Sequence, residues 1–265
     1  MSDVFADVLA VVGDEAEAKA LVDVAKGDPA RALELANERK SGTPLAYLTG
    51  NQTFMGVSLF IAKGALVPRA ETELLGETAV NALAEMKLAA PRVIDMCTGS
   101  GNLACAIATH VPTAQVWASD LTPDCVRVAN ANVEKLQLKN RVRVFCADLF
   151  AGFAGEALEG SIDVVVCNPP YISTGKLGAD RAVLLEHEPR EAFDGGPYGL
   201  SIHQRVIKDA APYLRPGGIL MFEMGLGQQR QLSLLFDRSR MYESIEFQYD
   251  QAGEPRVAVG RRKAS

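Results

Sequence analysis

Val93-Ile94-Asp95-Met96-Cys97-Thr98-Gly99-Ser100-Gly101-Asn102-Leu103-Ala104 decides the fold. A short apolar run meets a glycine-rich turn, and small apolar residues of helical character follow. That order reads as a strand, a tight turn and a helix start. Gly99 and Gly101 let the backbone come close to a ligand where a Cβ would collide. The helix N-terminus beyond offers free N–H groups to a carboxylate or a phosphate. Asp95 is placed to orient the loop or to meet an ammonium group, and Thr98 to share in the cradle.

Two ligand classes fit this loop. Gly99, Gly101 and Ala104 match G-x-G-x-x-A, the dinucleotide fingerprint, and Asp120 ends the next strand where a ribose-binding acid is expected. S-adenosylmethionine carries the same ribose hydroxyls, so the loop alone admits either it or NAD. Asp120 and the adjacent Leu121 suit both. Asp148, in Cys146-Ala147-Asp148-Leu149-Phe150, follows the third strand. There it can accept a hydrogen bond from an adenine amino group, with Leu149 and Phe150 packing on the ring.

Outward from the loop, strands and helices alternate. The pattern predicts strands at 92–97, 115–120, 141–146, 162–167 and 219–223. Helices are expected at 71–87, 101–109, 122–136, 201–214 and 228–238, with Thr122-Pro123 as a cap and first-turn proline. Two last strands, 244–249 and 256–260, have no helix between them and should pair antiparallel. The result is an open, mostly parallel α/β sheet of seven strands. Before it, 1–42 reads as a small helical unit with Asp28-Pro29 opening one helix, and 43–68 as a β-hairpin linker broken by Gly56 and Gly64; 69–265 is then the main domain.

Asn168-Pro169-Pro170-Tyr171 directly follows the fourth strand and decides the chemistry. Two prolines hold the backbone extended, which fixes the Asn168 side chain and the Pro169 carbonyl as paired acceptors at the sheet's carboxyl edge. Tyr171 supplies a flat face beside them. An amide nitrogen is planar, with its lone pair delocalised into the carbonyl. Acceptors aimed at its two N–H protons hold the –NH2, draw electron density to nitrogen and stabilise developing pyramidal character. In-line placement of nitrogen and methyl supplies much of the rate. A nicotinamide dehydrogenase has no use for such a pair, so the reading is methyl transfer to a planar amide or ring-amino nitrogen.

Bulk properties narrow the partners. The 265 residues carry 33 acids against 27 basic residues, a net charge of -6, which argues against an extended phosphate-neutralising surface and hence against a nucleic-acid substrate. Cys97, Cys105, Cys125, Cys146 and Cys167 contain no C-x-x-C, and His110, His187 and His203 no ligand spacing, so the cysteines read as small buried hydrophobes and no metal site is expected. The acidic N-terminus lacks the start of a signal peptide, and no apolar run has membrane-spanning length, so the expected location is the cytoplasm. His187 reads as a surface or supporting residue near the substrate mouth.

The order DMCTGSG, ASD, CADLF, NPPYI is similar to that of Rossmann-like class I S-adenosylmethionine-dependent methyltransferases. More specifically, the chain resembles the HemK/PrmC family of protein-glutamine N5-methyltransferases. GTPLAYLTG, the F-x-G of TFMGVSLF, LVPRAETELL and HEPREAFDGGPYGL carry that resemblance across 41–261. It implies a protein substrate, the glutamine of a Gly-Gly-Gln loop in a class I peptide chain release factor. It implies Asn168, Pro169 and Tyr171 around that amide, Asp120 on the ribose and Asp148 near the adenine. Glu71-Thr72-Glu73 maps onto a family stretch. The chain departs from the pattern at Cys97, where the family's loop has its first glycine, at Ala70 and Pro197-Tyr198, and in a shorter N-terminal helical unit.

Overall fold

Binary patterning explains the central sheet. In the computed structural model, which describes residues 4–177, 182–243 and 245–264, alternate residues of each strand face opposite helical layers. Val93, Val164, Val166 and Met221 join one apolar cluster, while Ile94, Val165, Cys167 and Leu220 join the other. Strands buried on both faces read as nearly continuous apolar runs for this reason.

The chain opens with helices α1 (Val4–Val12), α2 (Glu15–Val24), α3 (Pro29–Lys40) and α4 (Leu45–Thr49). Asp28 caps α3, its Oδ1 accepting from the N–H groups of Ala30 and Arg31 at 3.0 and 3.1 Å, and Pro29 fills the first turn. Val8, Leu21 and Leu35 form a separate small core that also takes in Leu45 and Leu48, beyond the expected end at residue 42. Arg39 grips both carboxylate oxygens of Glu17 at 2.8 Å, tying α3 to α2. The hairpin is shorter than expected: β1 (Asn51–Phe54) and β2 (Val57–Phe60) turn through Met55 and Gly56, both at positive φ, as a tight two-residue turn requires.

A short 3-10 turn (Ala70–Thr72) leads into α5 (Glu73–Met86). Then come β3 (Arg92–Met96), α6 (Asn102–His110), β4 (Gln115–Asp120), α7 (Pro123–Lys135), β5 (Val142–Cys146), β6 (Ile162–Cys167), α8 (Thr174–Leu177) and α9 (Ala182–His187). The chain ends with α10 (Ser201–Ala210), β7 (Leu214–Glu223), α11 (Gln229–Ser239), β8 (Glu246–Tyr249) and β9 (Pro255–Arg261). The strand expected at 244–249 begins at Glu246; Ser244 lies outside the described residues.

The seven strands lie in the order β5-β4-β3-β6-β7-β9-β8. β5 through β7 are parallel, and β9 runs antiparallel to both β7 and β8. The chain winds outward from β3 through β4 to β5 and then returns to β6 on the other side of β3. Ligands of open α/β sheets bind at such a reversal, outside the carboxyl ends of the strands. At the opposite ends, buried Asp163 accepts from Arg92 N at 2.8 Å and pairs with Arg215 at 2.6 Å, stapling β3, β6 and β7. Among the described residues, no helix is long and apolar enough to cross a membrane.

Two expectations need correction here. α10 stops at Ala210 and β7 already begins at Leu214, because Pro212 lacks the N–H that would continue the helical ladder. Three cysteines are buried as expected, but Cys97 is half-buried and Cys146 exposed.

Candidate active site

The topological reversal holds a cavity of about 420 Å³. The glycine loop after β3, Asp120 after β4, Asp148 after β5 and Asn168 after β6 all reach its wall. Thr98, Gly99, Leu121 and Leu149 line it too. The strand ends thus gather seven of the sequence-predicted residues, separated by up to 70 positions, around one space.

Gly99 sits at φ +56, and a Cβ there would point into open space within 4 Å, so the loop leaves room on its cavity side. Gly101 behaves differently. It lies off the wall at φ +78, and a Cβ would stand 3.1 Å from Ala129 Cβ and 3.2 Å from Ala129 Cα. Its bare α-carbon serves the packing of the loop on α7 rather than close approach to a ligand, which corrects the sequence reading. Asn132 of α7 adds to this docking, donating to Ser100 O and to Phe60 O at 2.9 Å each.

Asp95 lies beneath the loop, fully buried, and is absent from the cavity wall. Its Oδ2 accepts from Thr98 Oγ1 at 2.6 Å and from Ala104 N at 3.0 Å, so it orients the loop; its Oδ1 has no partner among the described residues. Burial pushes its carboxyl up to about 7. Asp120 accepts from Gly99 N at 2.8 Å through Oδ2 and from Thr122 N at 3.1 Å through Oδ1, which locks the acid onto the loop it faces. Asp148 is half-exposed and paired with Arg205 at 2.8 Å. Leu149 packs on the wall, but Phe150 turns away and stacks on Tyr213, with ring centroids 5.0 Å apart.

At the other end, Asn168 Nδ2 donates to Thr72 Oγ1 at 3.1 Å. Among the described residues no donor reaches Asn168 Oδ1 or the Pro169 carbonyl. Pro170, rather than Pro169 or Tyr171, lines the cavity. The Tyr171 ring is not on the wall as expected; its hydroxyl donates to Glu223 Oε1 at 3.1 Å. Burial, first of all, raises that phenol well above its ordinary pKa. Glu188 fastens the segment beyond this loop: Oε1 accepts from Val67 N at 3.0 Å and Oε2 pairs with Arg69. His187 is not on the cavity wall, and its Nε2 is buried without a partner among the described residues.

Sequence reasoning overlooked Thr72, Arg205 and Glu223. Glu223 carried a signal, an acid closing the apolar run Ile219-Leu220-Met221-Phe222. Thr72 stood inside the Glu71-Thr72-Glu73 stretch without a role attached.

The donor and acceptor set suits an adenosyl amino acid. The N–H groups of Ser100, Asn102 and Leu103 have no backbone or side-chain acceptor among the described residues, and all three residues face the cavity. The carboxylates of Asp120 and Asp148 line the same cavity and can only accept hydrogen bonds when ionised. Asn168 lines the same cavity.

Known proteins resemble this chain in sequence and in fold. Residues 72–186 match the family described as "Methyltransferase small domain". The release factor glutamine methyltransferase of Moorella thermoacetica is 34% identical over 241 residues, covering 91% of this chain and 83% of that protein. The corresponding enzyme of Gloeobacter violaceus is 37% identical, covering 82% and 73%. That of Salmonella typhimurium is 35% identical, covering 86% and 79%. Among solved structures, the human METTL16 catalytic domain shares the fold with a TM-score of 0.58 at 16% identity, covering 88% of this chain and 82% of that one.

Proposed function

The chain belongs to the release factor glutamine methyltransferase family, and from that premise we propose that it transfers a methyl group from S-adenosylmethionine to the side-chain amide nitrogen of the glutamine in the Gly-Gly-Gln loop of a class I peptide chain release factor. The observation that carries the proposal is the placement of Asn168 and the glycine loop on one cavity, with Asn168 Nδ2 already committed to Thr72.

S-adenosylmethionine, when bound, supplies an electrophilic methyl on a sulfonium sulfur. The chain's residues supply the rest. Gly99 leaves room for the backbone to approach the ligand, and the unpaired N–H groups of Asn102 and Leu103 suit its carboxylate. Asp120 is the acceptor for the ribose hydroxyls. Asp148 is the acceptor for the adenine amino group and shares its charge with Arg205. Asn168 Oδ1 and the Pro169 carbonyl accept the two N–H protons of the substrate amide, hold the nitrogen and favour its pyramidal form. No base is needed before attack, because the amide proton leaves after the nitrogen has become cationic.

In this reading the helical unit of 1–42 docks the protein substrate, 43–68 links it to the catalytic unit of 69–265, and the site of action is the cytoplasm. The test is methyl transfer from labelled S-adenosylmethionine to a purified, unmodified release factor, with a Gln→Ala version of its Gly-Gly-Gln loop as control. Label on the natural factor, lost in the control, supports both reaction and acceptor. No label, with S-adenosylmethionine binding demonstrated separately, overturns the acceptor.

A further inference from the structure

We infer that Gln228, the residue before α11, is a positioning residue for methyl transfer: it clamps the far end of the Asn168-Pro169-Pro170-Tyr171 segment and so sets where Asn168 stands. The inference rests on the reading of Asn168 and the Pro169 carbonyl as acceptors for the substrate amide. Gln228 Nε2 donates to Tyr171 O at 3.0 Å and to Gly199 O at 3.1 Å, and its Oε1 accepts from Gly225 N at 2.9 Å. One carboxamide therefore joins three segments: the loop after β6, the loop before α10 and the turn after β7. Gln228 is absent from the cavity wall, so it acts through the segment it holds. The close approach is built into the backbone: a Cβ at Gly199 would collide with Tyr171 O, and one at Gly195 would stand 2.6 Å from Pro170 O.

The segment is short and stiff, so its two ends decide where its middle lies. At the near end Cys167 is in register with Met96 of β3 and Phe222 of β7, which fixes where the segment starts. Proline rings lock φ at 169 and 170, and each proline keeps the residue before it out of the helical region. The freedom that remains lies chiefly in the bonds leading from Pro170 into Tyr171. The Tyr171 carbonyl stands just beyond those bonds, and among the described residues Gln228 is its only donor. The same peptide unit is held on its other side by Ile172 N, which donates to Phe193 O at 3.0 Å. Phe193 belongs to the loop that Gln228 also grips, at Gly199. Gln228 thus fixes both the peptide unit and the loop on which its second bond leans.

The residue type follows from the partner set. Two carbonyls need two donors and one N–H needs an acceptor, and a primary carboxamide supplies all three in one plane. The same set decides which end of the side chain is nitrogen. An ionised glutamate has the same shape but only accepts, and it would set oxygen against the Tyr171 and Gly199 carbonyls. Methionine fills a similar volume and donates nothing. The clamp stands on a firm base. Gln228 O accepts from Leu232 N at 3.0 Å, and Leu232 and Phe236 of α11 are buried in one apolar cluster with Leu220 and Phe222 of β7. A group held from a packed helix is placed more precisely than one held from a loop alone.

The test uses Gln228→Glu and Gln228→Met in the full chain, with urea unfolding to establish that each is folded. The uncharged Gln228→Met keeps the test decisive if the added charge of Gln228→Glu unfolds the chain. In kinetics with the release factor, both variants should lower kcat by about 10- to 100-fold, since a misplacement of about 1 Å at a reacting centre costs up to about 100-fold. KM for the release factor and the calorimetric affinity for S-adenosylmethionine should stay nearly unchanged, because Gly99, Asp120 and Asp148 stand at other strand ends. In the substrate-free protein labelled with 15N-asparagine, the Asn168 NH2 resonance, assigned by its loss in Asn168→Asp, should move in both variants as its bond to Thr72 readjusts. A raised KM with kcat unchanged, or an Asn168 resonance that stays in place in both variants, overturns the inference. If the natural chain transfers no methyl to the release factor, the proposed acceptor fails, while the resonance still decides whether Gln228 sets the position of Asn168.

Discussion

Replacing Asp95 by asparagine should stabilise the protein increasingly as pH rises. The natural carboxyl is fully buried, with one oxygen bonded to Thr98 and Ala104 and the other without a partner among the described residues. Burial is the main reason its pKa rises from 3.8 to about 7; the charge of Asp120 adds to the rise and the two hydrogen bonds oppose it. A folded-state pKa above the unfolded one means that the folded chain holds the proton more tightly. The associated stability is fully present below about pH 4 and is lost as pH rises through about 7. At about 1.36 kcal/mol per pH unit the full loss is a little over about 4 kcal/mol, of which about 2–3 kcal/mol falls between pH 5 and pH 8. Asparagine retains an acceptor for Thr98 and Ala104 and carries no charge to desolvate. Its buried NH2 costs about 1–3 kcal/mol if unpaired, but that cost does not vary with pH. Buried His203, held near pKa 4 mainly by desolvation, and Glu223, raised by burial, titrate in both proteins and largely cancel in the difference. Urea unfolding at pH 5 and pH 8, with m-values checked for equality, reads the effect. A stability difference between variant and natural protein that is the same at both pH values refutes the reasoning.

Asn168→Ala should leave S-adenosylmethionine affinity nearly intact and lower turnover about 10²–10³-fold, as loss of an oriented hydrogen-bonding group at a reacting centre does; steady-state kinetics with calorimetry check both halves, and an undiminished rate removes Asn168 from amide positioning. Asp120→Ala removes the proposed ribose acceptor and frees Gly99 N and Thr122 N, so calorimetry should show affinity for S-adenosylmethionine weakened about tenfold or more. Gly101→Ala forces a Cβ against Ala129 at φ +78, adding about 1–2 kcal/mol of backbone strain and about 1–3 kcal/mol of overpacking. Its unfolding free energy should therefore fall by about 2–5 kcal/mol, and a variant as stable as the natural chain would contradict the packing role given to this glycine.

What was legible in the sequence is what short-range physics controls. Ile162–Cys167 and Gln115–Asp120 are strands over the bounds read from the sequence; the first, buried on both faces, declares itself as a continuous apolar run within a few residues. Asp28 and Thr122 cap the helices they were expected to cap, since a capping bond spans only two or three positions. The carboxyl ends of such strands then gather Gly99, Asp120, Asp148 and Asn168 with no further information than the order of the sheet. The early start of β7 was missed because Pro216-Gly217-Gly218 looked like the helix stop, whereas Pro212 had already ended α10 and Leu214 had already joined Ile162.

The remaining misses share a different cause. Gly101 is bare because of Ala129 on another helix, Phe150 turns away because Tyr213 offers a ring to stack on, and Tyr171 leaves the cavity for Glu223. In each case the residue type is legible locally, while its direction is set by a partner 28 to 63 positions away. Asn168 shows why that distinction matters for chemistry. The motif places a carboxamide at the right sheet edge, but an asparagine is as much a donor as an acceptor. Its usefulness to an amide substrate depends on which end is spoken for, and Thr72, 96 positions earlier, takes the NH2 end. The motif therefore specifies the position of the carboxamide, and the tertiary fold, through Thr72, occupies its NH2 end and leaves the oxygen as the acceptor.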